Sequence, residues 1–241
     1  MDTSLFNTAV QKIEAEYSQL DAHLGWRFLY TPASTLSCPN GTLFVGINPG
    51  GAQYRVTPSV EEGNAYRTEA WAENGRSTLQ LQVEKLFSRL LDAGAISGGT
   101  VRDTLDRTLT SNFCPFRAPA WDQLPQRTEA KEFSANLWGW LLPRVRPSAI
   151  ICMGGVPYHQ FTDILNAEGP KLSETHWPTG WGNVRFKART YSAWETRILI
   201  TFVPHLSRFS LLGREESEPH IGKLADVLRQ HHLQKSNTKK E

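Results

Sequence analysis

Three short segments each end an apolar run on a side chain suited to neutral hydrogen-bond chemistry. Thr42-Leu-Phe-Val-Gly-Ile-Asn-Pro-Gly50 breaks off at Gly46-Ile47-Asn48-Pro49-Gly50-Gly51 and offers Asn48. Thr108-Leu-Thr-Ser-Asn112-Phe-Cys-Pro-Phe offers a second amide, Asn112, and Ile198-Leu-Ile-Thr-Phe-Val-Pro-His205 offers an imidazole. An asparagine holds and aims a water molecule, but it is no general base. It also presents a donor NH₂ and an acceptor carbonyl side by side. A neutral histidine donates to a carbonyl on which negative charge grows. The first segment is no phosphate loop, because no Gly-Lys-Ser/Thr follows it, and it is no dinucleotide fingerprint. A lone Asn after a strand is most often a turn former. The order and spacing of all three carry more than any one of them.

A buried strand broken by a Gly/Pro turn delivers its next side chain to the carboxyl edge of a sheet, where open α/β folds bind ligands. Apolar runs predict strands over 42–45, 108–112, 149–153 and 197–203, and the alternation over 184–191 reads as an edge strand. Residues 25–30 read as a short strand or a loop. Helices are predicted over 3–23, 78–93 (capped by Ser77, ended by Gly94), 128–142 (stopped by Pro143), 157–165 and 219–232. Residues 51–75 form a long polar loop, a length that usually signals a lid or binding segment. Residues 170–182 form a Trp/Pro/Gly loop. Strands alternating with helices imply parallel pairing and crossover connections. The expected fold is therefore α/β, a three-layer α/β/α sandwich around a mostly parallel sheet of about four strands. One domain spans 1–233 and a polar tail spans 234–241.

Composition limits the remaining possibilities. The 241 residues, 39% hydrophobic with eight Trp, suffice for one well-buried α/β domain. A net charge of +2 and a pI of about 8.4 are compatible with nucleic acid without requiring it. Cys38, Cys114 and Cys152 lie far apart with no C-x-x-C pair, which argues against an iron–sulfur cluster or structural zinc and for three small buried hydrophobes. No signal peptide and no membrane-length apolar run is visible, so the chain reads as soluble and cytoplasmic, with no membrane partner. Trp138 and Trp140, two apart on one helix, predict one ring in the core and one at its margin.

At these residues the sequence resembles the uracil-DNA glycosylase superfamily. Gly46-Ile47-Asn48-Pro49-Gly50 is similar to the first motif of its mismatch-specific branch, with the single-strand-selective branch close behind. Asn112-Phe113-Cys114-Pro115 is similar to the strand-end Asn of the single-strand-selective branch. Pro204-His205-Leu206-Ser207-Arg208 resembles the last motif, a His opening a loop that enters DNA, and 147–155 resembles the third core strand. The resemblance covers about 41–211. It implies a DNA glycosylase with no cofactor and no metal, acting on single- or double-stranded DNA as a monomer. Asn48 and His205 are then catalytic, and Ile47, Tyr54 and Asn112 surround the base. Ser207, Arg208, Phe209, Arg55 and Arg117 meet the DNA. The chemistry fits these residue types. Cleaving an N-glycosidic bond makes the base an anion and the sugar oxocarbenium-like. Donation from His205 stabilises the first, Asn48 aims water at the second, and Asn112 suits the Watson–Crick edge of a flipped pyrimidine.

Two departures bear on substrate choice. No Phe lies between Gly50 and Trp71, so the stacking aromatic falls to Tyr54, with Tyr66 next. Leu206-Ser207 replaces the family's usual Ser-Pro, and the wedge into DNA falls to Arg208, Phe209 or Leu211. Three alternatives remain: a glycosylase for a modified base, such as a hypermodified phage cytosine, in antiviral defence; a non-catalytic DNA-binding relative; and a hydrolase of free nucleosides.

Overall fold

The computed structural model describes residues 4–38, 40–73 and 75–238. Its centre is a six-stranded sheet in the order β2-β1-β3-β6-β5-β4. The strands are β1 (Thr42–Gly46), β2 (Leu109–Asn112), β3 (Ala149–Met153), β4 (Lys171–Pro178), β5 (Arg185–Ala193) and β6 (Thr196–Val203). β2, β1, β3 and β6 run parallel, whereas β5 and β4 are antiparallel additions beyond β6. Helices α1 (Ser4–Tyr17), α2 (Ala65–Thr68), α3 (Thr78–Asp92), α4 (Val101–Arg107), α5 (Arg127–Val145), α6 (Gly155–Glu168) and α7 (Glu218–Thr238) complete the chain.

Side-chain alternation along the strands splits the core in two. Leu43, Val45, Ile150, Cys152, Ile198 and Ile200 face α1, α5 and α6. Phe44, Ile151, Met153, Leu199 and Val203 face α2, α3 and α7. The result is the expected three-layer α/β sandwich. Trp138 is fully buried, while Trp140 lies at the margin beneath Lys12 and Arg144.

Several expectations need correction. The sheet has six strands rather than about four. The stretch read as a Trp/Pro/Gly loop contains β4, an exposed strand that buries only Trp177. β5 is therefore flanked on both sides and is no edge. α5 runs through Pro143 and ends at Arg146, which takes a left-handed conformation (φ 48°) ahead of Pro147. α7 continues to Thr238, so 234–238 belong to a helix, and the last three residues of the expected tail lie outside the described ones. Cys38 is exposed, unlike Cys114 and Cys152. Among the described residues no helix is long and apolar enough to cross a membrane.

The parallel register positions the site. Gly46 pairs with Asn112, Val45 with Cys152, and Met153 with Val203, so four strands end level at one sheet edge. β2 would be a bare edge, but 26–30 cover it. Leu29 bridges to Ser111, Trp26 to Phe116, and the Tyr30 N–H donates to the Thr110 carbonyl at 2.8 Å. This coverage explains why all four residues of β2 are buried although two of them, Thr110 and Ser111, are short hydroxyl residues. It also delivers Arg27 and Tyr30 to the carboxyl edge.

Candidate active site

A cavity of about 630 Å³ opens at that edge, lined by Asn48, Asn112 and His205 together with Ile47, Tyr54, Arg55 and Arg117. Seven of the ten residues singled out from the sequence thus share one cavity. The other three, Ser207, Arg208 and Phe209, lie on the loop behind His205.

The amide of Asn48 has a fixed orientation. Its Nδ2 donates to the carbonyls of Pro49 (3.1 Å) and Ala118 (3.2 Å). Both partners are acceptors only, so the nitrogen is assigned by chemistry and Oδ1 is left to accept from a water. Asn112 is 5% exposed and donates from Nδ2 to the Tyr30 hydroxyl at 2.7 Å. A Cβ on Gly46 would come within 2.3 Å of Asn112 Oδ1, so glycine is required for the strand-end amide to fold back over β1. The expected side-by-side presentation is therefore constrained, because one face of the amide is already committed to Tyr30 and Gly46.

His205 is half-buried at the cavity wall. Its Nδ1 lies 2.8 Å from the Ser207 hydroxyl. With that hydroxyl donating, Nδ1 accepts and Nε2 carries the proton into the cavity. Burial, and then the nearby Arg208 charge, lower the imidazole pKa below its ordinary value, which keeps the ring neutral near pH 7. Ser207 and Arg208 are exposed. Phe209 packs edge-on against Trp181 at 5.9 Å, and Leu211 is fully buried, which removes it as a wedge. Cys114 follows the strand-end Asn directly, but burial pushes its thiol up to about 12 and leaves it protonated.

Of the far wall, the sequence offered only Tyr66. Tyr30, Tyr66 and Trp71 form a cage with ring centroids 5.5, 5.9 and 4.9 Å apart. Arg27, 3% exposed, stacks on Tyr30 at 4.6 Å and pairs with Glu69. Glu69 also accepts from Arg55 at 3.2 Å and from the Trp71 indole at 2.8 Å. Burial alone would raise its pKa, but Arg27 foremost, with Trp71 and Arg55, outweighs burial and holds the carboxyl below its ordinary value. Glu69 is the carboxylate among the cavity-lining residues, and with both oxygens engaged it is not disposed to act as a base. A second sequence signal for this wall is Arg27, an arginine set inside the otherwise apolar Trp26–Tyr30 stretch. Of the two stacking candidates, Tyr66 belongs to the buried cage and Tyr54 is 67% exposed at the mouth.

α3 fastens both loops that frame the cavity. Gln80 completes a capping box with Ser77 and donates from Nε2 to the carbonyls of Tyr66 (3.1 Å) and Glu69 (2.7 Å). Gln82 exchanges a pair of 2.9 Å hydrogen bonds with the backbone of Leu212, at the base of the His205 loop. Asn64, fully buried, caps α2 and donates to Leu105 and Thr110.

Compared with known proteins, the chain matches no family model and no curated protein.

Proposed function

We propose that the chain is a monofunctional DNA glycosylase that hydrolyses the N-glycosidic bond of an everted uracil or related pyrimidine and leaves an abasic site. The carrying observation is that the side chains at the ends of three separate parallel strands, two amides and one neutral imidazole, line one cavity. As the bond between sugar C1′ and the base nitrogen lengthens, its electron pair goes to the base. The Nε2–H of His205 donates to the base carbonyl on which that charge collects. One such preorganised donor contributes about 3–4 kcal/mol in comparable oxyanion sites. A water accepted by Asn48 Oδ1 adds its oxygen to C1′, and its proton ultimately balances the departing base. Asn48 is no base, but an oxocarbenium-like carbon needs an aimed water more than a deprotonated one. The Tyr30–Tyr66–Trp71 cage supplies an aromatic wall for the base.

One observation favours the modified-base reading as a second choice. A cavity of about 630 Å³ is the size that encloses a drug-sized ligand, larger than a bare pyrimidine. A base carrying a bulky polar substituent would use the space beside Arg27 and Glu69. The test is release of free base from a uracil-containing oligonucleotide and, in parallel, from DNA with substituted cytosines. His205→Ala and Asn48→Ala should each abolish most of the release. Full activity in both variants contradicts the mechanism, and release from neither substrate contradicts the reaction.

A further inference from the structure

A second concavity of about 670 Å³ lies at the same sheet edge, between α5 and α6. Arg127, Lys131, His159, Trp121 and Gln160 line it, and no carboxylate does. Arg127, Lys131 and His159 are exposed, and Trp121 is half-buried. Among the described residues neither Arg127 nor Lys131 belongs to an ion pair. Arg127 occupies the first turn of α5, where a cation opposes the helix dipole, so helix stability does not explain its position.

The cleft adjoins the reaction cavity through two short links. Gly155 lines the cleft, and its neighbour Gly154 is so close to Ile47 that a Cβ there would meet the Ile47 side chain at 3.1 Å. Trp121 follows three residues after Ala118, whose carbonyl holds Asn48. Two unpaired cations beside a half-buried indole that lines the cleft match the chemistry of a nucleic-acid strand, which presents a phosphate and a stackable base at each step.

We infer that this cleft is a docking groove for the backbone and one unstacked base of the strand that runs on from the everted nucleotide. The inference rests on the glycosylase reading for where that nucleotide sits. The groove would carry the flanking strand off the cavity mouth toward the α5–α6 face, and it would set how much flanking strand the protein requires.

The test measures binding by fluorescence anisotropy across a NaCl series, using labelled deoxyoligonucleotides of about 15 and about 4 nucleotides. For the longer one, the Arg127→Glu/Lys131→Glu variant should flatten the slope of log K against log [salt] by about 1.4, or about 0.7 for each of two phosphate contacts. Trp121→Ala should weaken it about tenfold, the loss of one stacked base. Binding of the shorter oligonucleotide should not change, and urea unfolding should show each variant still folding cooperatively. An unchanged slope and affinity for the longer strand overturns the proposal, as do equal losses on both lengths or absence of binding by the wild-type chain. If the variants lose binding to polyglutamate but keep the oligonucleotide, the cleft is a docking face for an acidic polypeptide and the proposal falls. Binding is read without turnover. A flattened slope without base release therefore removes only the reaction, and base release with an unaltered slope removes only the groove.

Discussion

The two sides of the candidate cavity are built on opposite terms. The inner wall, Arg27, Tyr30, Tyr66, Glu69 and Trp71, is buried or half-buried; Gln80 and Asn112 donate hydrogen bonds to it and Asn64 accepts one from the Tyr66 N–H. The outer rim, residues 51–56 with Ser207 and Arg208, is exposed, and few backbone hydrogen bonds hold it. A pocket that must reject wrong bases gains from a wall whose polar groups are already paired and aimed, because nothing is reorganised when the ligand arrives. A rim that, under the proposed function, would meet a charged polymer gains more from exposure and surface charge. Under the proposed function, the difference separates base recognition, assigned to paired and buried residues, from strand capture, assigned to exposed ones.

His205 is where fixed geometry meets chemistry, so its loss has the largest expected effect. His205→Ala should lower the rate of base release about 10²–10³-fold in single-turnover assays, with little change in folding. Its pH dependence carries a definite sign. The folded ring titrates below the ordinary imidazole value of about 6.5, so base release should be level above that pH and fall only on the acid side. Protonation of the denatured chain begins first as pH drops, so His205 should also weaken folding in acid and be neutral to stability at higher pH.

Gln80→Ala attacks the wall through its fastening. Three hydrogen bonds are lost, one at the Ser77 cap and two to the carbonyls of Tyr66 and Glu69. Urea unfolding should show a cost of about 2–3 kcal/mol, at about 1 kcal/mol for each bond. Gly46→Ala should cost about 1–3 kcal/mol by forcing the Asn112 amide off β1, and should weaken base binding. A rim substitution is the contrasting case. Tyr54→Ala should leave stability within about 0.5 kcal/mol, and only DNA affinity should change. A large stability loss at Tyr54, or none at Gln80, would erase the contrast between wall and rim.

What could be read in the sequence follows the same division between local and distant causes. The strand ends carrying Asn48, Asn112 and His205 are local events, an apolar run stopped by Gly or Pro, and the parallel register then levels them. Trp138 and Trp140 were separable because helical periodicity is also local. β4 was not legible, since Lys171–Pro178 exposes every residue but one and owes its strand form to pairing with β5. Arg27 and Glu69 are 42 residues apart, and their pairing is set by the packing of 26–30 against β2. Gln80 reads as a helix cap, and its second task, holding Tyr66 and Glu69, needs the loop to be in place. Pro143 misled because proline ends many helices, yet here it occupies the last turn of α5.

The most direct measurement is a crystal structure with an oligonucleotide carrying 2′-fluoro-2′-deoxyuridine, whose electron-poor sugar resists cleavage. The account predicts the uracil everted into the cavity, a carbonyl oxygen within hydrogen-bond distance of His205 Nε2, and a water on Asn48 Oδ1 facing C1′. A uracil still stacked in the strand, or one seated away from both His205 and Asn48, would contradict it.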